Sequence, residues 1–82
     1  MANVTVRFFA RYAELAGCES VAVAVPSTAA VHDVLERVRA TVPGAQALPA
    51  RPLTALNLRQ VRLDARVQDG DEVALLPPLS GG

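Results

Sequence analysis

One amphipathic segment dominates the hydrophobic pattern of this 82-residue chain. Apolar side chains recur there at intervals of three and four, which places them along one side of a helix. They are Val31, Val34, Leu35, Val38 and Val42. Ser27 precedes the segment as a candidate N-cap for the first backbone N–H groups. Pro43 and Gly44 end it, because proline disfavours the helical conformation for the preceding residue.

The chain before this helix alternates with period two. Apolar and polar side chains alternate over residues 4–9 until Phe9 places an aromatic ring on the polar side, and the pattern predicts a half-buried strand. Residues 10–16 form a helical turn with Gly17 as its C-cap. Residues 20–25 alternate valine with small residues, which predicts a second strand antiparallel to the first.

After the helix the predicted elements are shorter. Residues 45–52 contain two prolines and indicate a loop. Residues 53–58 and 60–63 are strand candidates on either side of a turn at residues 57–59.

The last predicted strand covers residues 72–76, after a turn signal at residues 69–71. Pro77 and Pro78 follow it and cannot continue a hydrogen-bonded ladder. The sheet is therefore expected to end there, with the rest of the chain leaving as an extended tail.

The order strand, strand, long helix, then two or three strands predicts an α+β fold. We expect a mixed sheet of four to five strands with one main helix on one face. The β-grasp architecture of ubiquitin satisfies this order. The whole chain, residues 1–82, is expected to be one domain with a flexible tail at residues 77–82.

Composition narrows the class of protein. The formal net charge is zero and all eight basic residues are arginine, so there is no basic excess of the kind that binds nucleic acid or an anionic membrane. A single cysteine fits a reducing compartment. No signal peptide or bilayer-length apolar run is apparent. These features predict a cytoplasmic protein.

Side chains with candidate chemistry are isolated. Cys18 has no neighbouring cation to activate a thiolate, and His32 has no second ligand at metal-binding spacing. Asp69, Asp71 and Glu72 lack the further ligands of a calcium loop, and are typical of a turn. We expect no metal site and no active site within the chain, which predicts a protein that is not catalytic alone.

The chemistry concentrates instead at Gly81 and Gly82, the last two residues. Neither has a Cβ, so this backbone can enter a narrow channel. The four residues from Leu79 to Gly82 span about 13–14 Å when extended. Because a carboxylate is unreactive toward nucleophiles, another protein must activate it.

An apolar docking patch is expected beside this tail. Phe9 and Leu76 are predicted on the sheet face opposite the helix, and Leu79 follows on the tail. Grouped apolar side chains on a solvent face are typical of an interaction site. The alternative is a scatter of surface hydrophobic residues with no role.

The C-terminal segment and three earlier segments resemble those of a known family. Its ending DGDEVALLPPLSGG, residues 69–82, is similar to that of MoaD-like sulfur carriers of the MoaD/ThiS family, the small subunits of molybdopterin synthase. Residues 6–10, 14–17 and 53–57 resemble that family's opening strand, turn and third strand. The Pro-Pro-X-Ser-Gly-Gly ending is the specific part.

The resemblance implies a mechanism. A ubiquitin-activating-enzyme-like adenylyltransferase would use ATP to adenylate Gly82, and a sulfur donor would convert the adenylate to a thiocarboxylate. Leu79, Ser80 and Gly81 would enter the large subunit of molybdopterin synthase, within a heterotetramer. That subunit supplies the catalytic residues, and the sulfur passes to precursor Z. No cofactor stays bound to the carrier.

The resemblance also implies a partner interface formed by Phe9, Leu76, Pro77 and Pro78. A third apolar position of the family falls on Gln60, which is polar in this chain.

Three alternatives stay open. Thiamine-pathway and tRNA-thiolation carriers share the fold and the Gly-Gly ending, although the Pro-Pro segment resembles them less. A ubiquitin-like protein modifier would use the same activated carboxylate for attack by lysine amines. A pure interaction domain would tolerate loss of Gly82.

Overall fold

The structure, a computed structural model, describes residues 1–78. The predicted flexible tail therefore lies outside the described residues except for Pro77 and Pro78. In chain order the elements are β1 (Ala2–Phe8), α1 (Arg11–Ala16), β2 (Ser20–Val25), α2 (Val31–Thr41), a 3-10 helix (Pro43–Ala47), β3 (Leu53–Leu56), β4 (Arg59–Val61) and β5 (Glu72–Leu76).

The five strands form one mixed sheet in the order β2-β1-β5-β3-β4. The central strands β1 and β5 are parallel, while the other neighbours are antiparallel. This arrangement, with α2 as the long helix, confirms the predicted α+β class and its β-grasp topology.

The core lies between the sheet and α2. Alternate residues of β1 are buried, as the period-two pattern predicted. Val73 and Leu75 of β5 are fully buried, and so is most of the predicted apolar stripe of α2: Val31, Val34, Leu35 and Val38. Valine is the most frequent side chain in this core, which also contains leucines and two of the chain's three aromatic residues, Phe8 and Tyr12.

The predicted N-cap at Ser27 is wrong. Ser27 lies in a turn in which the Ala29 N–H donates to the Pro26 carbonyl at 2.9 Å. The helix begins only at Val31, because Ala30 is held in extended conformation by an antiparallel bridge to Arg66. A contact distant in sequence therefore delays the start of α2.

The first N–H groups of α2 are satisfied by other partners. The Asp33 carboxylate accepts a hydrogen bond of 2.9 Å from the Ala30 N–H. The Val31 and His32 N–H groups donate to carbonyls of the segment after β4, those of Ala65 at 2.8 Å and Leu63 at 2.9 Å. Backbone carbonyls from a loop thus replace the side-chain cap that a helix start usually has.

Strands β3 and β4 are shorter than predicted. The turn between them contains only Asn57 and Leu58, both with positive φ, at 50° and 73°. The Asn57 side chain holds this turn against β5: its Oδ1 accepts from the Glu72 N–H at 2.9 Å and its Nδ2 donates to Asp71 at 2.9 Å. Leu63, predicted in a strand, lies in the turn that follows β4.

The predicted loop over residues 45–52 is partly helical, because the 3-10 helix Pro43–Ala47 extends into it. It packs against α1 so closely that Gly44 has no room for a side chain. A Cβ on Gly44 would lie 1.6 Å from the Leu15 carbonyl oxygen. Gly17, the predicted C-cap of α1, has φ of 77° in the left-handed region and open space around it, which confirms its role.

We expect Gly44→Ala to lower the free energy of unfolding by about 3 kcal/mol or more, since the clash is with backbone and no side-chain rotation relieves it. Gly17→Ala meets only left-handed strain and should cost about 1–2 kcal/mol. Urea unfolding of the two variants measures both. Equal losses, or a larger loss for Gly17→Ala, would contradict the close approach of the 3-10 helix to α1.

Candidate functional site

The sheet face opposite α2 carries the candidate site, and we call it the open face. Since Val73 and Leu75 point into the core, the alternating residues Ala74 and Leu76 of β5 belong to the open face. The strand registers place Arg7 of β1 opposite Ala74, and Leu53 of β3 opposite Leu76.

An apolar cluster occupies this face where β5 ends. Leu76 is half-buried, its cross-strand partner Leu53 is 38% exposed, and Phe9 is 37% exposed. Phe8 pairs with Leu75 in the parallel register, so the residues that follow this pair are Phe9 and Leu76. We call Phe9, Leu53 and Leu76 the apolar patch. It adjoins the point where the chain leaves the sheet.

Pro77 and Pro78 continue directly from Leu76 and belong to no strand. Pro77 is half-buried and Pro78 is exposed. The structure therefore places all four predicted interface residues, including Phe9, at one end of the sheet. The predicted tail residues Leu79, Ser80, Gly81 and Gly82 lie outside the described part of the chain.

Sequence reasoning missed Leu53. The pattern predicted a strand that begins at Leu53, but it did not indicate which strand pairs with it. Leu53 could therefore not be placed beside Leu76. The available signal was the alternation of Leu53 and Ala55 with Thr54, which is buried. That alternation puts Leu53 and Ala55 on the same face.

Gln60 lies on the open face as well, because it pairs with Ala55 of β3. It is exposed and sits on the edge strand β4. Gln60, where the resemblance implies an apolar residue, thus lies at the polar edge of the open face. It is one strand beyond the Leu53–Leu76 pair.

Arg7 supplies the charge beside the patch. Its guanidinium carbon is 5.3 Å from the centroid of the Phe9 ring, within the range of a cation–π contact worth about 0.5–1 kcal/mol at an exposed site. Its Nη1 is 3.9 Å from the Glu72 Oε1. Both charged side chains are well exposed, so this ion pair contributes little to stability. Arg7 mainly holds a positive charge over an aromatic ring.

The other residues considered for chemistry make packing contacts or local polar contacts within the fold. Cys18 is a free, partly buried cysteine packed against the core. The His32 Nδ1 is 3.4 Å from the Asp33 carboxylate. Asp69 and Asp71 accept backbone N–H bonds of 2.7 Å in the turn before β5. Among residues 1–78, no three such side chains are grouped to hold a metal ion.

No helix in the described part of the chain combines the length and the apolar character needed to cross a membrane.

Comparison with known proteins shows what this chain is similar to. The ThiS family model matches residues 6–82. The molybdopterin synthase sulfur carrier subunit of Chlamydomonas reinhardtii is 35% identical over 82 residues, covering 98% of this chain and 99% of the relative. That name agrees with the prediction of a carrier that is not catalytic alone.

Two solved structures extend the comparison. SAMP1 of Haloferax volcanii, a small archaeal modifier protein, has a TM-score of 0.88 at 30% identity, covering 99% of this chain and 100% of that one. A chain in the complex of subunits 1 and 2 of the molybdopterin-converting factor from Helicobacter pylori 26695 has a TM-score of 0.64 at 27% identity, covering 98% and 99%.

We expect the exposed patch to contribute little to folding. Leu53→Thr places a β-branched residue, which strands favour, in β3 and should lower the free energy of unfolding by about 1 kcal/mol or less. Leu75→Ala removes a fully buried side chain and should cost about 2–5 kcal/mol. Denaturant unfolding compares the two. A loss for Leu53→Thr as large as for Leu75→Ala would show that Leu53 is a core residue.

Proposed function

The chain belongs to the ThiS family, and from this premise we propose that it carries sulfur for molybdenum cofactor biosynthesis as the small subunit of molybdopterin synthase. In this proposal the body of the protein presents the tail, and Gly82 is the residue that is chemically changed. The catalytic groups belong to partner proteins.

The observation that most supports this function is the position of the apolar patch. Leu53 and Leu76 are cross-strand partners at the end of β5, and Phe9 follows β1 beside them. Only six residues separate Leu76 from the C-terminus. A partner that covers the patch would therefore have the terminus within reach of its own active site.

The proposed chemistry has two steps. The Gly82 carboxylate attacks the α-phosphorus of ATP on an adenylyltransferase, and pyrophosphate leaves. A sulfide-equivalent donor then attacks the carbonyl carbon of the acyl-adenylate and AMP leaves, which yields the thiocarboxylate. Adenylation is needed because a free carboxylate has no good leaving group. ATP is thus a substrate of the partner, and the carrier binds no lasting cofactor.

The length of the tail and the small size of its last residues would allow it to deliver the sulfur. The segment from Leu79 to Gly82 reaches about 13–14 Å when extended, and its two glycines let the backbone enter a channel too narrow for side chains. In the large subunit this would bring the sulfur to precursor Z. Phe9, Leu53, Leu76, Pro77 and Pro78 would form the contact surface, and a heterotetramer is the proposed assembly.

A second candidate is a protein modifier, favoured by the similarity to SAMP1. The activated terminus would then be attacked by a lysine amine of another protein. This chain contains no lysine, so further copies could not be attached to its own side chains. Isopeptide-linked conjugates in cell extracts would distinguish this function from sulfur transfer.

The sulfur-carrier proposal predicts a mass change of the intact protein. Incubation with the adenylyltransferase encoded in the same genome, ATP and a sulfide source should replace one oxygen by one sulfur at the terminus. Intact-mass spectrometry measures it, and a chain lacking Gly82 is the control. Absence of the exchange in the full chain, while the enzyme releases pyrophosphate from ATP, would contradict the proposal.

If the apolar patch binds the large subunit, a substitution in it should lower the binding affinity while the protein stays folded. Leu53→Thr should weaken binding to a molybdopterin synthase large subunit from the same genome by about tenfold, because the few residues whose truncation costs more than 1 kcal/mol cluster near the centre of an interface. Isothermal titration calorimetry gives the dissociation constant. Thr28→Leu, in an exposed turn away from the open face, is the control, and equal affinities for both variants would exclude the patch from the interface.

A further inference from the structure

The two edge strands of the sheet are protected to different degrees. Strand β4 forms one edge and is only three residues long, with a charged Arg59 and a polar Gln60. Strand β2 forms the other edge and is six residues long, and its sequence SVAVAV contains no charged residue and no proline. Short length, charge and proline are features that keep an edge strand from pairing with another chain. Strand β2 has none of them, so its edge is open to pairing.

The hydrogen bonds of β1 show which backbone groups of β2 are free. On the β2 side, the Phe8 N–H donates to the Glu19 carbonyl at 2.9 Å. On the β5 side, the Thr5 N–H donates to the Asp71 carbonyl at 3.0 Å. The even-numbered residues of β1 therefore direct their backbone hydrogen bonds toward β2. Because the register pairs even positions of β1 with odd positions of β2, the odd-numbered residues of β2 bond to β1.

The remaining residues of β2 direct their backbone groups outward: Ser20, Ala22 and Ala24. Ser20 and Ala22 are exposed, and Ala24 is half-buried. Within residues 1–78 these outward N–H and C=O groups have no hydrogen-bond partner. Pro26 stands at the next even position and has no N–H, so it ends the edge. The edge thus offers donors and acceptors at three alternate residues.

We propose that β2 pairs with β2 of a second copy of this chain, antiparallel and about a two-fold axis at Ala22. In this register Ala22 of each copy lies opposite Ala22 of the other, and Ser20 lies opposite Ala24. Each of the three residue pairs then exchanges two hydrogen bonds, so every outward group is paired. The two five-stranded sheets join into one. The same patch serves both copies, as an isologous contact requires.

The side chains of β2 match themselves in this register, which favours a second copy over an unrelated strand. On the helix side, the half-buried Val21 comes opposite Val23 of the other copy, a pair of β-branched side chains that stabilises a sheet. On the open face only small side chains meet. Glu19, the charged residue next to the strand, comes opposite Val25, so no like charges face each other. A shift by two residues would leave two hydrogen-bonded pairs in place of three.

The dimer leaves both apolar patches uncovered, because β1 separates β2 from β5 in each copy. The two β5 strands lie five strand spacings apart, about 24 Å. They run in opposite directions, so the two tails leave at opposite ends of the joined sheet. This inference does not depend on the proposed sulfur chemistry, and either can fail without the other.

Sedimentation equilibrium and amide hydrogen exchange of the full chain test the proposal together. The weight-average mass should rise with protein concentration, from that of one chain toward that of two. In step with it, exchange should slow at the outward amides of Ser20, Ala22 and Ala24. The amides of Val21 and Val23, which bond to β1, should be protected at every concentration and report that the protein is folded.

Ala22→Lys places two like charges opposite each other at the two-fold axis and should weaken dimerisation about fivefold or more. Ala22→Thr is the matched control, since it is uncharged and suits a strand, and its dissociation constant should stay within about twofold of that of the unmodified chain. Two results overturn the proposal. One is the mass of a single chain at every concentration up to about 1 mM, and the other is an association that Ala22→Lys leaves unchanged.

Discussion

The parallel pairing of β1 with β5 is the contact on which the rest of this structure depends. It joins the first strand to the last in the centre of the sheet, so the fold closes only when both ends of the chain are in place. The same pairing sets Phe9 beside Leu76 and gives β3 an edge on which to align Leu53. Core and candidate site therefore share one register, and a slip of one residue would turn the patch inward.

The segment between β4 and β5 makes a second long-range contribution. Its carbonyls accept the first N–H groups of α2, and Arg66 bridges to Ala30. The Val67 N–H also donates to the Ala29 carbonyl at 3.0 Å. A stretch without strands or helices of its own thus fixes where the main helix begins. It connects the helix layer to the strand that carries the tail.

Local periodicity was sufficient to predict the elements that bury one face. The stripe of α2, the alternation of β2 and the inward residues of β5 are all signals within a few positions of each other. The failures involve partners far away in sequence. Ser27 is not a cap because Arg66 holds Ala30, and Leu53 was missed because its neighbour lies on another strand. The chemistry expected of the Gly-Gly ending depends on residue type alone, and it stays a prediction because residues 79–82 lie outside the described part of the chain.

The central position of β5 in the sheet also determines how the protein responds to a force that pulls on its C-terminus. A partner that grips the terminus pulls along β5, which is hydrogen-bonded on both sides, to β1 and to β3. Such a force shears two ladders simultaneously, and many bonds must break together before the strand can move. Withdrawal of the tail from a tight channel would therefore leave the body intact. In the proposed function, the body would then stay folded while its terminus is repeatedly inserted and released.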